Sequence, residues 1–207
     1  MFKEIFAKIK TEQNYEVCGI DINYKIIVDK EQSQVILQFQ ESNSTEDWIN
    51  NFSFFPHPLK LEDEIVWTTS GYARAYKSTK DKPLKEFISV CLQYPDYKKC
   101  IRGWSFGSAM SKIAARHFYI KNKFPVDYLI TYGDVRTWLN PFVSKIGKNW
   151  AKNIFEFVNV NDFVTWCVPF YHREKKCKVG GKFKIKSILN TSYNHHHYEN
   201  YNYDKYE

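Results

Sequence analysis

The chain has 207 residues, of which 43% are hydrophobic and 18% aromatic, and its net charge is +7. This size and composition predict one folded domain over residues 1–207 and exclude an intrinsically disordered chain. No stretch of the sequence approaches the roughly 20 apolar residues that are needed to cross a bilayer. The positive charge suits anionic lipid surfaces, nucleic acids or acidic substrates, and by itself it selects none of them.

The first ten residues, MFKEIFAKIK, predict a short amphipathic helix with its apolar residues on one side. Charged residues interrupt this segment and no long apolar run follows, so it does not resemble a secretory signal. The five cysteines contain no CxxC pair, which favours free thiols in a reducing compartment over disulfides or a zinc site. We therefore expect a cytoplasmic protein without a bound metal or cofactor.

Strand-like and helix-like segments alternate along the rest of the chain. In chain order, they are the hairpin YKIIVDKEQSQVILQF, the helix PLKEFISVCLQY, the strand KCIRGW, the helix GSAMSKIAARHFYI, the buried strand VDYLITYG, the helical but proline-interrupted TWLNPFVSKIG, the strand NIFEFVNV, the loop or edge segment VTWCVPFY and the late strand GGKFKIKSI. This alternation favours an α/β fold whose central sheet is mainly parallel.

A serine lies between two glycines at the junction of KCIRGW and the helix that follows, in the pentapeptide GWSFG at 103–107. With so few glycines in the chain, an accidental match at any serine has a chance of about 2%. A nucleophilic serine needs a tight strand-to-helix bend, and glycines two residues away keep Cβ atoms out of the crowded backbone. Ser105 is therefore the candidate nucleophile, and the N–H of Phe106 is a candidate oxyanion donor. A strand–turn–helix that uses glycine only for packing is the alternative.

A serine nucleophile requires a base and an orienting acid, which in α/β hydrolases follow it in the order Asp or Glu, then His. Asp162 comes just after a predicted strand, where such an acid is needed, although an aspartate there is also typical of a turn or cap. The tail offers a triplet of candidate bases at 195–197, which could also bind a metal. The other histidines fit this order less well; they are His57, His117 and His172.

The order and spacing of several segments over roughly residues 15–201 resemble the class 3 lipases, the fungal-lipase-like α/β hydrolases. VILQFQESNSTEDWINNFSF is similar to the family's strand with Phe-Arg-Gly-Thr, Asp-Trp and Asn-x-x-Phe, and VWTTSGYARAYKS to its His-x-Gly-Phe segment. CIRGWSFGSAMSKIAA is similar to its Gly-His-Ser-Leu-Gly-Gly-Ala elbow, and LITYGDVRTW to its Thr-Phe-Gly-x-Pro-Arg segment. FEFVNVNDFVTWCVP resembles its acid-bearing segment, and NHHHYENY its closing His-x-x-Tyr.

The resemblance implies an α/β-hydrolase fold with a mainly parallel central sheet flanked by helices. It implies that Ser105 is the nucleophile, Asp162 the orienting acid and His195 the general base, because His195-x-x-Tyr198 fits the closing pattern. His197 is the alternative base. Since the chain is short for the family, we expect a compact domain with little or no lid and a more open site.

The segment that follows the predicted strand VILQF contains further candidate site residues, and it also departs from the family pattern. Ser42 falls where the family has its second oxyanion residue, and Asp47 and Trp48 match its Asp-Trp landmark at the mouth of the site. Gln40-Glu41 replaces Arg-Gly, and a glutamate beside an oxyanion is unfavourable unless it points away. The remaining departures are Trp104 for His, Phe106 for Leu and Val135 for Pro.

These observations predict a serine lipase or esterase that acts on ester or lipid substrates, with weak association with anionic membrane surfaces. An inactive relative of the same fold that acts as a binding or scaffold protein is the alternative, supported by the altered oxyanion segment. A basic RNA- or membrane-binding protein is a third reading, but no nucleic-acid motif accompanies the charge. We therefore expect no nucleic-acid partner.

Overall fold

The computed structural model describes residues 14–17, 20–39, 53–139, 150–158, 162–166 and 171–172. The strands in these ranges are β1 (Asn14–Val17), β2 (Ile20–Asp29), β3 (Gln34–Phe39), β4 (Pro56–Leu61), β5 (Glu64–Thr69), β6 (Lys98–Trp104), β7 (Val126–Tyr132), β8 (Trp138–Leu139), β9 (Ala151–Phe157) and β10 (Tyr171–His172). The helices are α1 (Ser70–Ser78), α2 (Lys82–Gln93) and α3 (Phe106–Asn122), with a 3₁₀ turn at Phe163–Trp166. None of these helices is long and apolar enough to cross a membrane.

Six strands form the central sheet, in the order β1-β2-β3-β6-β7-β9. The four strands β3, β6, β7 and β9 run parallel to one another, and β1 and β2 are antiparallel additions at one side. The prediction of a mainly parallel sheet with helices packed against it is therefore confirmed, as are the β2–β3 hairpin and the helices α2 and α3. In such a sheet the carboxyl ends of the parallel strands meet at one edge, where sites are usually built.

The core lies between one face of this sheet and the helices. Leu37, Ile101, Leu129 and Ile154 pair in register across β3, β6, β7 and β9 and form one buried apolar row. Helix α3 packs on β6 and β7, and α2 packs on β3. Such a row removes branched side chains from water on four neighbouring strands, which is the main favourable contribution to the stability of a layered fold.

On the same face of the sheet, the next row toward the carboxyl edge contains a glycine, and α3 lies very close to the sheet at that glycine. Gly103 lies between Phe39 and Thr131 in this row. A Cβ atom at Gly103 would lie 2.2 Å from the carbonyl oxygen of Gly107 and 2.4 Å from Oγ of Ser111. Both distances are far below van der Waals contact, so the first turn of α3 reaches this position only because residue 103 has no side chain.

Three aromatic side chains link the strand ends on the opposite face of the sheet. Trp104, Tyr132 and Phe157 are the last residues of β6, β7 and β9. The ring centroids of Trp104 and Tyr132 are 6.5 Å apart, and those of Tyr132 and Phe157 are 5.0 Å apart with nearly parallel planes. Each stacked pair contributes about 0.5–1.5 kcal/mol beyond the area it buries, and together they fix the carboxyl edge.

One segment near this edge differs from its prediction. Trp138 and Leu139, expected in a helix, form β8, which pairs antiparallel with β10. The buried hydroxyl of Thr68 donates a 2.7 Å hydrogen bond to the carbonyl of Thr137, and this bond holds the chain beside β5 in an extended form. The helical prediction is therefore wrong at 138–139. The N-terminal amphipathic helix and the late strand GGKFKIKSI lie outside the described residues.

Two of the cysteines lie in the core as free thiols. Cys91 on α2 and Cys100 on β6 are both buried. Burial raises the pKa of each thiol to about 12. Since the thiolate is the reactive form, burial lowers the reactivity of these two thiols.

A side chain at position 103 is expected to destabilise the protein. In Gly103→Ala the new methyl group meets backbone atoms that cannot rotate away. The free energy of unfolding should therefore fall by about 1–3 kcal/mol or more. Urea denaturation measures the change, and Ser89→Ala on the exposed side of α2 is the control. An unfolding midpoint equal to that of the wild type would contradict the close approach of α3 to β6.

The amino-terminal edge of the sheet gives a pH-dependent prediction. Asp127 accepts hydrogen bonds from the Lys99 amide at 2.8 Å and from Nζ of Lys152 at 2.6 Å. Burial alone would raise the pKa of Asp127, but these hydrogen bonds and the nearby lysine charges outweigh it and lower the pKa below 3.8. A carboxylate with a lowered pKa stabilises the fold above its ordinary pKa, and this contribution is lost as the pH falls through the lowered value.

Asp127→Asn should therefore cost about 1 kcal/mol at neutral pH, a figure reduced for the solvent exposure of Lys152. The difference in unfolding free energy between the variant and the wild type should shrink as the pH falls below 3.8. Urea titrations at several pH values provide the measurement. A difference that stays constant down to about pH 3 would show that the charge of Asp127 is not what stabilises this edge.

Candidate active site

Ser105 occupies the bend between β6 and α3. Its backbone has φ 52° and ψ −119°, a conformation that residues with a side chain rarely adopt. The N–H of Ser105 donates a 2.8 Å hydrogen bond to the carbonyl of Tyr132, and its carbonyl accepts the N–H of Ser108 at 2.9 Å. These bonds hold a strained bend whose cost is on the order of 1–3 kcal/mol. The pattern GWSFG thus forms the tight strand-to-helix turn that its glycines predict.

The side chain of Ser105 has no accessible surface in this conformation. Because the bend lies between two buried elements, the end of β6 and the first turn of α3, the hydroxyl is held inside the protein. The hydroxyl therefore lies in surroundings with little water, where electrostatic interactions are strong.

The side chain and the backbone amide of Phe106 have different roles. Its ring is buried and lies 5.7 Å from the ring of Tyr72 on α1. As the first residue of α3, it has an amide with no acceptor inside the helix, at the end where the helix dipole is positive. This backbone position can stabilise a negative oxygen, while the side chain only anchors the bend.

Asp162 is fully buried and immediately precedes the 3₁₀ turn that follows β9. Its Oδ1 accepts the N–H of Val164 at 2.9 Å, and its carbonyl accepts the hydroxyl of Thr165 at 2.8 Å. Asp162 therefore caps a turn, the alternative role that its sequence position indicates. A carboxylate has two acceptor oxygens, so this cap is compatible with orienting a partner through the other oxygen.

The strands bring these two residues to the same edge of the sheet. Ser105 follows β6 and Asp162 follows β9, with β7 between them. Two strand spacings separate β6 from β9 by about 10 Å. The other predicted site residues lie outside the described residues; they are Ser42, Asp47, Trp48, His195 and His197.

His117 is not placed to act on Ser105. It lies twelve residues further along α3, which is about 18 Å of helix. Its ring nitrogens are already within hydrogen-bonding distance of the Tyr76 hydroxyl, at 3.0 Å, and of Glu62 Oε1, at 3.1 Å. His117 therefore joins α3 to α1 and to the β4–β5 turn, in agreement with its poor fit to the order of catalytic residues.

An ionic cluster behind the bend is not predicted from the sequence. Lys112 of α3 is fully buried, and its Nζ lies 2.8 Å from Asp134 and 2.9 Å from Glu156. Burial alone would lower the pKa of Lys112, but the two carboxylates raise it above its ordinary value. The signal in the sequence is a lysine between Met110 and Ile113, inside the apolar stripe of a helix.

Within the ranges that the structure describes, no group of three His, Cys, Asp or Glu side chains converges to hold a metal ion. The cluster around Lys112 has a cation at its centre and is not a cation site.

Comparisons with known proteins agree with this architecture. A secreted mono- and diacylglycerol lipase from Penicillium cyclopium is 29% identical over 140 residues, which are 66% of this chain and 44% of the lipase. A fungal lipase solved with an inhibitor matches with a TM-score of 0.67 and 19% identity, covering 82% of this chain and 64% of its own. A triacylglycerol lipase whose catalytic centre is a serine-protease triad matches with a TM-score of 0.63 and 19% identity, covering 82% and 63%. The fold is therefore the α/β-hydrolase fold, as predicted.

The prediction of a cytoplasmic location is wrong by this comparison, because the Penicillium relative is a secreted enzyme. The prediction rests on the lack of a recognisable secretory signal or membrane-spanning segment in the sequence and on its cysteine pattern, and the buried thiols of Cys91 and Cys100 are compatible with either location. The chain spans less than half the length of that curated relative.

The family model of class 3 lipases matches residues 36–172. This range includes the parallel strands from β3 to β9, the bend at Ser105 and the turn at Asp162. It covers more than half of the sequence, and it contains the segments whose order suggests the family except the closing His-x-x-Tyr at 195–198. The chain belongs to the class 3 lipase family.

Proposed function

We propose that this protein is a serine carboxylic-ester hydrolase, a lipase or esterase, that works through an acyl-enzyme with a triad of Ser105, Asp162 and His195. The observation that carries the proposal is the backbone of Ser105. Its conformation, with φ 52° and ψ −119° between a strand and a helix N-terminus, is costly. Such strain is typical of a nucleophile presented to a reacting carbonyl.

In the proposed reaction, Oγ of Ser105 attacks the carbonyl carbon of the ester while its proton passes to His195. The tetrahedral intermediate then loses the alcohol, which takes the proton from the imidazolium. Water, activated by the same histidine, cleaves the acyl-serine bond and releases the acid. Asp162 keeps the imidazole in the required tautomer and stabilises its positive charge.

The proposed oxyanion donors are the amide of Phe106 and a group at Ser42. The Phe106 amide is favoured because its side chain is anchored against Tyr72, which keeps the backbone of the first helical turn in place. A donor of this kind is worth about 10²–10³ in rate. The Gln40-Glu41 pair beside Ser42 is the least conventional part of this proposal.

The proposed substrates are esters of lipids or of other apolar alcohols. The Penicillium relative is a mono- and diacylglycerol lipase, and the buried Ser105 favours a substrate that tolerates loss of water. The net charge of +7 supports weak attraction to anionic lipid surfaces. That association and the single-domain organisation stay predictions.

The nucleophile is tested with a fluorophosphonate probe and a p-nitrophenyl ester. The wild type should be labelled and should turn over the ester, whereas Ser105→Ala should lose labelling and at least about 10³-fold in kcat. Ser89→Ala, an exposed serine on α2, is the matched control and should behave as the wild type. A folded wild type without labelling or turnover of short or long esters would favour the inactive scaffold alternative.

The base is tested within the histidine triplet. His195→Ala should abolish turnover because no other group in the proposed triad can accept the serine proton. His196→Ala is the matched control and should retain activity. If His197→Ala abolishes turnover and His195→Ala does not, then the base is His197 and the assignment of His195 is wrong.

A further inference from the structure

The strongest unassigned feature in the described residues is the ionic cluster on the core side of the serine bend. Lys112 lies seven residues after Ser105, two turns along the same helix. Its side chain is completely buried, and its ammonium contacts Asp134 Oδ2 at 2.8 Å, Glu156 Oε1 at 2.9 Å and the Val135 carbonyl at 3.2 Å. An ammonium has three protons to donate, and it has an acceptor here for each.

The three acceptors come from the two strand ends that flank the site. Asp134 and Val135 belong to the loop after β7, and Glu156 is the penultimate residue of β9. The amide of Asp134 also donates to the Phe157 carbonyl at 3.1 Å, which continues the β7–β9 pairing past the end of β7. One cation therefore joins the nucleophile helix to both strand ends.

A second contact ties the same loop to the same helix. The hydroxyl of Ser108, three residues after Ser105, accepts the amide of Val135 at 3.2 Å. Thr68 of β5 holds the end of this loop through the Thr137 carbonyl. The loop is thus fixed on both sides, and Lys112 is the side chain that extends this restraint from the loop to β9.

We propose that Lys112 is a positioning residue: by binding Asp134 and Glu156 it sets the distance between the helix that begins at Ser105 and the strand that leads to Asp162. This inference rests on the proposed function of those two residues. Asp162 comes only five residues after the end of β9, so a shift of Glu156 relative to α3 is passed on to the acid. Misplacement of a catalytic group by about 1 Å can cost on the order of 10² in rate.

A purely structural role predicts a different outcome. Buried ion pairs are often replaced by uncharged residues with little loss of stability, because desolvation cancels much of the attraction between the charges. What the uncharged residues do not reproduce is the fixed geometry of three short contacts to one nitrogen. The inference therefore predicts a loss of kcat in a variant that remains folded.

The test uses the triple variant Lys112→Met/Asp134→Asn/Glu156→Gln, which leaves no buried charge of the cluster unpaired. On a p-nitrophenyl ester, kcat and the rate of fluorophosphonate labelling should both fall by roughly ten- to hundredfold, with KM changed less than about threefold. Glu156→Gln alone keeps the contact of Lys112 with Asp134 and should show a loss of about three- to tenfold. If the triple variant does not fold, Glu156→Gln alone tests whether Lys112 positions the site.

Asp127→Asn is the matched control, since it removes the charge and one acceptor oxygen of a carboxylate that accepts two hydrogen bonds at the opposite edge of the sheet. It should lower stability and leave kcat unchanged. Variants of the cluster that are folded and have wild-type kcat would overturn the inference while leaving the proposed function intact. A wild type that is neither labelled nor active would overturn the proposed function itself, and the inference with it.

Discussion

The structure depends on the close contact between the first turn of α3 and the end of β6 at Gly103. A Cβ atom at that position would lie 2.2 Å from a backbone carbonyl, so the contact exists only for glycine. It lets the chain turn directly from strand to helix, and it leaves Ser105 in a conformation with positive φ. The bend is strained, and the surrounding contacts have to hold it in place.

Those contacts come from both faces of the sheet. On the core side, the amide of Ser105 binds the end of β7, and Ser108 and Lys112 hold the loop that follows it. On the other side, stacked aromatic rings join the last residues of β6, β7 and β9. The ends of three strands are thus bound to one another and to α3. The chain segments that follow these strands therefore begin at fixed positions. A site assembled from residues far apart in the chain needs this rigidity.

Much of this could be predicted from the sequence because the signals are local. The β2–β3 hairpin, α3 and the serine bend follow from periodicity and from two glycines, and the order of segments indicates the family. The β4–β5 hairpin is not expected because Pro56 and Pro58 lie in β4. They are tolerated because, among the described residues, β4 pairs only with β5, so that a proline without an N–H can face away from its neighbour.

Other features have no local signal. Trp138 and Leu139 are extended because they pair with β10, about thirty residues later in the chain. Lys112 has the sequence pattern of a helix residue, and only the fold reveals that two distant carboxylates surround it. Each of these outcomes is decided by tertiary contacts, which a local pattern does not contain.

The central claim is that Ser105 carries the acyl group during ester hydrolysis. Mass spectrometry of protein quenched during turnover of a slowly hydrolysed p-nitrophenyl ester tests this directly. We predict a mass increase of one acyl group, located by peptide mapping to the peptide that contains Ser105, which disappears when the substrate is exhausted. Turnover with the acyl group on a different residue, or with no acylated protein at any time, would contradict the account.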